Sequence, residues 1–223
     1  MPRTEPWRRL YASAPATSVL CLGMLFVYVV TAAQSLSLAD NLYGSSLADA
    51  WVLSLPEMRE SWFGPLRALT AAFLHIGPVH LAFNVLLLFL FGREVEQTYS
   101  SRVLLWVFVT SAVGASAFSV LVAPASQSAG ASGAGYALMV LLVLISFQRG
   151  ADLRAPIVLI LANLVFSVID PGVALWGHVG GLIFGSLLSL PLASRRPAVQ
   201  RGGLIIVFLG AIGLLLWVVL GVH

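Results

Sequence analysis

The chain has 223 residues, 59% of them hydrophobic and only 9% charged, with a formal net charge of +3. A composition this apolar excludes a soluble enzyme or binding module and predicts an integral membrane protein. The sequence contains no lysine; the arginines follow membrane topology, so nucleic acid has no place among the expected partners.

A spanning helix needs roughly 20 apolar residues to cross about 30 Å of hydrocarbon. Alternating β-strand patterning is absent, so helices must satisfy the backbone in lipid, and the predicted fold is an all-α, polytopic membrane helical bundle without internal repeat. Residues 1–17 form a short basic N-terminus carrying Arg3, Arg8 and Arg9. The first span is predicted near Ser18 to Leu38. It is too long for a signal peptide and lacks a small-residue cleavage site, so it reads as retained. Cys21 lies inside it as the only cysteine, which excludes an internal disulfide.

A loop of about 39–77 follows, holding Asp40, Asp49, Glu57 and Glu60 against Arg59 and Arg67. The second span is predicted near Pro78 to Val95 and the third near Val103 to Ala123, with Arg93 and Arg102 flanking the turn between them. The fourth runs from Ser132 to Gln148 and is followed by Arg149 and Arg154. The fifth, Ala155 to Ile169, is short and ends before Asp170. The sixth covers Leu175 to Ala193 and precedes Arg195, Arg196 and Arg201; the seventh runs from Leu204 to Val222. Residues 18–193 thus read as a six-span core, and residues 194–223 as a cytoplasmic linker and a seventh span. The arginine-bearing ends are expected in the cytoplasm, together with the N-terminus, and the loop 39–77 outside. Trp51, Trp62, Trp106 and Trp176 fall near span ends or in that loop, as interfacial anchors do.

The stretch "GASGAGYALM", residues 130–139, opens the fourth span. Small residues let membrane helices approach closely, so one reading of it is a packing face. The other makes Ser132 a nucleophile, which requires a base and donors for an oxyanion. His178, in "WGHVGGLIFG", begins the sixth span, which runs in the same direction as the fourth, so both residues lie in the outer half of the bilayer. An ionisable group within a span carries a functional default. Gly181 and Gly185, at i+3 and i+7, give His178 a bare face that can press on the small face of the fourth span. In "HIGPVHLAFN", His80 and Asn84 share one face of the second span at its outer end, and His75 lies in the approach to it. These polar groups either hydrogen-bond across helices or, at the depth of the serine and the histidine, form an oxyanion site.

In this order the residues resemble the rhomboid family of intramembrane serine proteases, over about Arg67 to Gly185. The matching features are G-x-S-G at Gly130, Ser132 and Gly133, with Tyr136 four residues after the serine; H-x4-H-x3-N at His75, His80 and Asn84; and His178 followed by Gly181 and Gly185. Glu96 falls where the family has a cytoplasmic-side glutamate. The resemblance implies a six-span rhomboid-like core in which Ser132 is the nucleophile, His178 the general base, and Tyr136 the ring packed against the histidine. His80, Asn84 and the backbone N–H of Ser132 would form the oxyanion hole, with His75, Gly130, Gly133, Gly181 and Gly185 in support. The sequence departs from the family at Leu66, where tryptophan precedes the arginine, at Gly177, where alanine is usual, and in its seventh span.

The expected activity is therefore a serine endopeptidase without metal or cofactor, cutting single-span membrane proteins near the outer face of the bilayer. The expected setting is the plasma membrane of a bacterium. The sequence contains no H-E-x-x-H motif and no pair of aspartates within spans, which excludes the zinc and aspartyl intramembrane proteases. A transporter would show two related halves with broken helices, and none are found. The remaining alternative is a catalytically weak or inactive rhomboid-like binder of transmembrane clients. In the family the element next to the sixth span borders substrate access, so the short fifth span hints at a gate.

Overall fold

The computed structural model describes residues 13–170, 172 and 174–221. Arg3, Arg8, Arg9 and Val222 lie outside the described residues. Seven apolar helices occur where the hydropathy pattern predicts them: α1 (Pro15–Ser35), α2 (Gly77–Thr98), α3 (Ser101–Val122), α4 (Ser132–Gln148), α5 (Arg154–Ile169), α6 (Leu175–Leu192) and α7 (Pro197–Leu220). Five are long and apolar enough to cross a membrane; α4 and α5 are shorter apolar helices.

Local chemistry sets several boundaries. Proline at the first helical position starts α1 and α7, where its fixed φ and missing N–H cost nothing. Pro197 therefore begins α7 earlier than hydropathy predicts, and Arg201 belongs to its first turns instead of a linker. Ser100 caps α3, its side chain accepting from Val103 N at 3.3 Å. α2 continues past Val95 through a π-type turn at Leu88–Gly92, which carries Glu96 into the protein.

α3 is the central helix, with Phe108, Thr110, Gly114 and Ala117 among its buried residues. Gly114 lies directly against the Phe184 ring of α6, and Gly180 against the α3 backbone at Ala115. On another face of α3, Val113, Ala117 and Val120 pack with Ala211, Leu215 and Val218 of α7. In contrast, α5 contributes only Pro156 and Ser167 to the buried set, and its Val165, Phe166, Val168 and Ile169 are exposed. Lipid tails are as apolar as these side chains, so association here rests on close packing of small residues and on hydrogen bonds across helices.

The two ends of the bundle are tied differently. At the end where α2 meets α3, the Glu96 carboxylate accepts from Ala16 N, Thr17 N and the Thr17 hydroxyl at 2.7–2.8 Å, and from Ser101 Oγ at 2.6 Å. It thus caps the start of α1 and joins it to α2 and α3. Arg149 pairs with Glu94 and donates to Thr98 Oγ1, joining the ends of α2 and α4.

At the opposite end, the loop between α1 and α2 folds into short helices at Ser46–Trp51, Leu55–Arg59 and Arg67–Thr70. Asn41, fully buried, donates to Thr31 Oγ1 and to the His75 carbonyl and accepts from Gly77 N, pinning the start of α2 to α1. Arg67 donates to the carbonyls of Asp49 and Val52 while Leu66 beside it is exposed. Arg59 donates to the carbonyls of Val218 and Val219, closing the C-terminus of α7 with a cation as the helix dipole favours.

Candidate active site

Ser132 is the first residue of α4. The chain reaches it through Gly130, whose φ of +126° is left-handed backbone that a side chain would strain; a Cβ there would also stand 2.8 Å from the His80 ring. This segment is held from outside: Gly130 N donates to Ala71 O at 2.9 Å, and Leu53 and Ser128 exchange two backbone hydrogen bonds. The first intrahelical bond of α4 in this turn runs from Gly135 N to Ala131 O, so the amide of Ser132 is among those left over at a helix start.

His178 occupies the first turns of α6. α4 and α6 run side by side, and the small faces that the sequence offers are the surfaces that meet. A Cβ on Gly181 would collide with the Gly133 carbonyl, and one on Gly185 would approach Ala137 Cα to 2.6 Å. A Cβ on Gly177 would meet nothing closer than Ala174 Cβ at 3.8 Å, so an alanine would fit there. At this backbone separation His178 Nε2 lies 2.7 Å from Ser132 Oγ. The Tyr136 ring stacks on the imidazole, with centroids 4.4 Å apart and planes 24° from parallel.

The opposite ring nitrogen, Nδ1, lies 2.7 Å from the hydroxyl of Ser167 on α5. Sequence pattern does not single out Ser167. A serine in an apolar helix usually bonds back to the carbonyl four residues earlier, and Ser167 does so too, donating to Asn163 O at 2.8 Å. The Tyr136 hydroxyl lies 3.0 Å from the same Ser167 oxygen. The signal available is slight: Ser167 is the only hydroxyl residue in α5.

His80, Asn84 and His75 gather at the start of α2. Ile76 N donates to His80 Nδ1 at 3.2 Å, so the ring proton of neutral His80 sits on Nε2, the nitrogen nearest to Gly130. Asn84 is buried and donates one amide hydrogen to the His80 carbonyl, which leaves the second for another acceptor. His75 is fully buried behind His80, edge-on at 5.2 Å between ring centroids, and its Nδ1 donates to Phe73 O. Burial first, and the neighbouring His80 second, push the His75 imidazole down to about 3, so it packs as a neutral ring.

A recess of about 30 Å³ beside Ser132, with Ser116, Ser119 and Ser128 in its walls, has room for a water molecule. Among the described residues, no group of three or more His, Cys, Asp or Glu side chains could hold a metal ion. The arrangement can transfer a proton from the serine hydroxyl to an imidazole and offer N–H donors at the start of a helix, which is the equipment of acyl transfer.

Comparison with known proteins identifies similar chains. The family model for the Rhomboid domain matches residues 63–195. Rhomboid protease GluP of Bacillus subtilis (strain 168) is 38% identical over 136 residues, covering 57% of this chain and 27% of that protein. Rhomboid protease GlpG of Yersinia pestis (strain Pestoides F) is 30% identical over 184 residues, 77% of this chain and 59% of that protein. RHOMBOID-like protein 2 of Arabidopsis thaliana is 30% identical over 136 residues, 58% of this chain and 43% of that protein. The chain thus spans less than two thirds of the length of each of these relatives.

Proposed function

The chain belongs to the rhomboid family, and from that premise we propose that it is a serine endopeptidase that cuts single-span membrane proteins near the outer face of the bilayer. One observation carries the reading: a serine at a helix start within 2.7 Å of an imidazole nitrogen whose ring is stacked on a tyrosine. Ser132 Oγ attacks the scissile carbonyl carbon as its proton passes to His178 Nε2. The tetrahedral oxyanion is held by the Ser132 amide, His80 Nε2–H and the spare amide hydrogen of Asn84. Collapse breaks the C–N bond, and the imidazolium gives its proton to the leaving amine. Water then attacks the acyl ester with His178 as base, releasing the new carboxylate and restoring the Ser132 hydroxyl.

The two roles of Ser132 and His178 require neither a metal nor a cofactor. In this reading the six-span core, residues 18–193, performs the reaction and α7 is an addition to it. The arginine distribution supports a cytoplasmic N-terminus and a site opening to the outer face of a bacterial plasma membrane. The test is a fluorophosphonate probe and a transmembrane substrate offered to the purified protein in detergent. Ser132-dependent labelling and cleavage are expected. Labelling and cleavage that are unchanged in Ser132→Ala would reject Ser132 as the nucleophile, and a parent that neither labels nor cuts would leave a binder of transmembrane clients.

A further inference from the structure

We propose that Ser167 is a positioning residue that selects the tautomer of His178, so that the nucleophile is activated through a hydrogen-bonded chain reaching across α4, α6 and α5. The inference rests on the protease reading above and adds a third side chain to its two.

The assignment follows from counting hydrogens. Ser167 Oγ has one hydrogen and two lone pairs, and it faces three partners: Asn163 O at 2.8 Å, the Tyr136 hydroxyl at 3.0 Å and His178 Nδ1 at 2.7 Å. A carbonyl oxygen only accepts, so the Ser167 hydrogen goes to Asn163. Both lone pairs are then free to accept, one from Tyr136 O–H and one from Nδ1–H. All three contacts are satisfied at once only when Nδ1 carries the imidazole proton.

Nε2 is then left with its lone pair facing Ser132 Oγ at 2.7 Å, the state in which it can take the serine proton. The other tautomer would turn the Ser167 hydrogen toward Nδ1, set two oxygens 2.8 Å apart with no hydrogen between them, and make Nε2 a donor to the nucleophile. Ser167 and His178 are both buried, so water cannot replace the missing partner cheaply. Because α5 buries only Pro156 and Ser167, this hydrogen bond is also where the position of α5 reaches the imidazole.

In a serine triad the aspartate does this work with a full charge, and its replacement by an amide costs about 10⁴ in turnover through the wrong tautomer. A neutral hydroxyl orients the ring more weakly. Ser167→Ala is therefore expected to lower kcat by ~10- to 100-fold while KM stays within about twofold.

The experiment pairs kinetics with ¹⁵N NMR of histidine-labelled protein in detergent, where the two ring nitrogens report the tautomer directly and the His178 signals are assigned by their loss in His178→Ala. In the parent, His178 should be in the Nδ1–H form at neutral pH. In Ser167→Ala both that population and kcat should fall, and Ser167→Thr, which keeps the hydroxyl, should restore both. An Nε2–H tautomer in the parent, or a fall in kcat without a change of tautomer in Ser167→Ala, overturns the proposal. The spectrum needs no turnover, so a parent that cuts nothing yet holds the Nδ1–H form counts against the protease and not against the role of Ser167.

Discussion

Ser132 and His178 share one short hydrogen bond, and residues that act as a unit do not contribute additively. Ser132→Ala and His178→Ala should each abolish cleavage of a transmembrane substrate, and the double variant should be no slower than either. A further loss in the double variant would show two independent contributions. Asn84→Ala should keep residual activity, about 10²- to 10³-fold down in kcat, because the Ser132 amide and His80 remain as donors. The pH profile has a fixed sign. A protonated His178 cannot accept the serine hydrogen, so activity is present above the imidazole's pKa and lost as pH falls through it. A rate that does not change across that range would remove His178 as the base.

At the scale of the element, the distance between Ser132 and His178 is set by glycines at the contact between α4 and α6. Gly181 lies on the Gly133 carbonyl and Gly185 on Ala137, whereas Gly202 in α7 has nothing within 4 Å of a Cβ. Gly181→Val should therefore push α6 from α4 and destroy activity, while Gly202→Val leaves it unchanged. Gly177→Ala should also be tolerated, since its methyl meets only Ala174 at ordinary contact distance. Cleavage assays on the three variants at matched expression test this, and equal activity in Gly181→Val and Gly202→Val would remove the glycine contact as the cause. Much of this was legible in the sequence, because Gly181 and Gly185 fall on the same helix face as His178. The polar tie of α5 was not, since a serine in an apolar helix looks the same whether it bonds only to its own backbone or also to a neighbouring ring.

At the scale of the whole molecule, two features follow from how the ends are closed. If the arginines mark the cytoplasm, a cysteine at exposed Tyr43 should react with an impermeant thiol reagent on intact cells, and one at exposed Ala198 should not. Both belong in a Cys21→Ala background; Asn41, though in the same loop as Tyr43, is fully buried and unsuitable. The reverse labelling pattern would turn the site toward the cytoplasm. The second feature is the hold of the loop between α1 and α2 on α7. Arg59→Ala removes two hydrogen bonds from a cation to the last carbonyls of α7 and should cost about 1–2 kcal/mol after discount for its exposure. Thermal unfolding in detergent should register the loss, and an unchanged midpoint would mean that the apolar face at Ala211 and Leu215 holds α7 alone.

The sequence by itself determined the class of solvent, the positions of the apolar helices, and the residue types at the candidate site. Each of these is a local property: hydropathy over a window, proline and serine at helix starts, and spacing along one helix face. It overran or fell short where a boundary depends on a neighbour. α7 starts at Pro197 although its hydropathic stretch begins later, and Glu96 lies within α2 because Ala16, Thr17 and Ser101 supply donors from two other helices. Only the tertiary structure decided which nitrogen of His178 faces Ser132 and what holds the other one. That outcome depends on three helices meeting within hydrogen-bond distance, and no periodicity along a single chain segment encodes where a hydroxyl from α5 will stop.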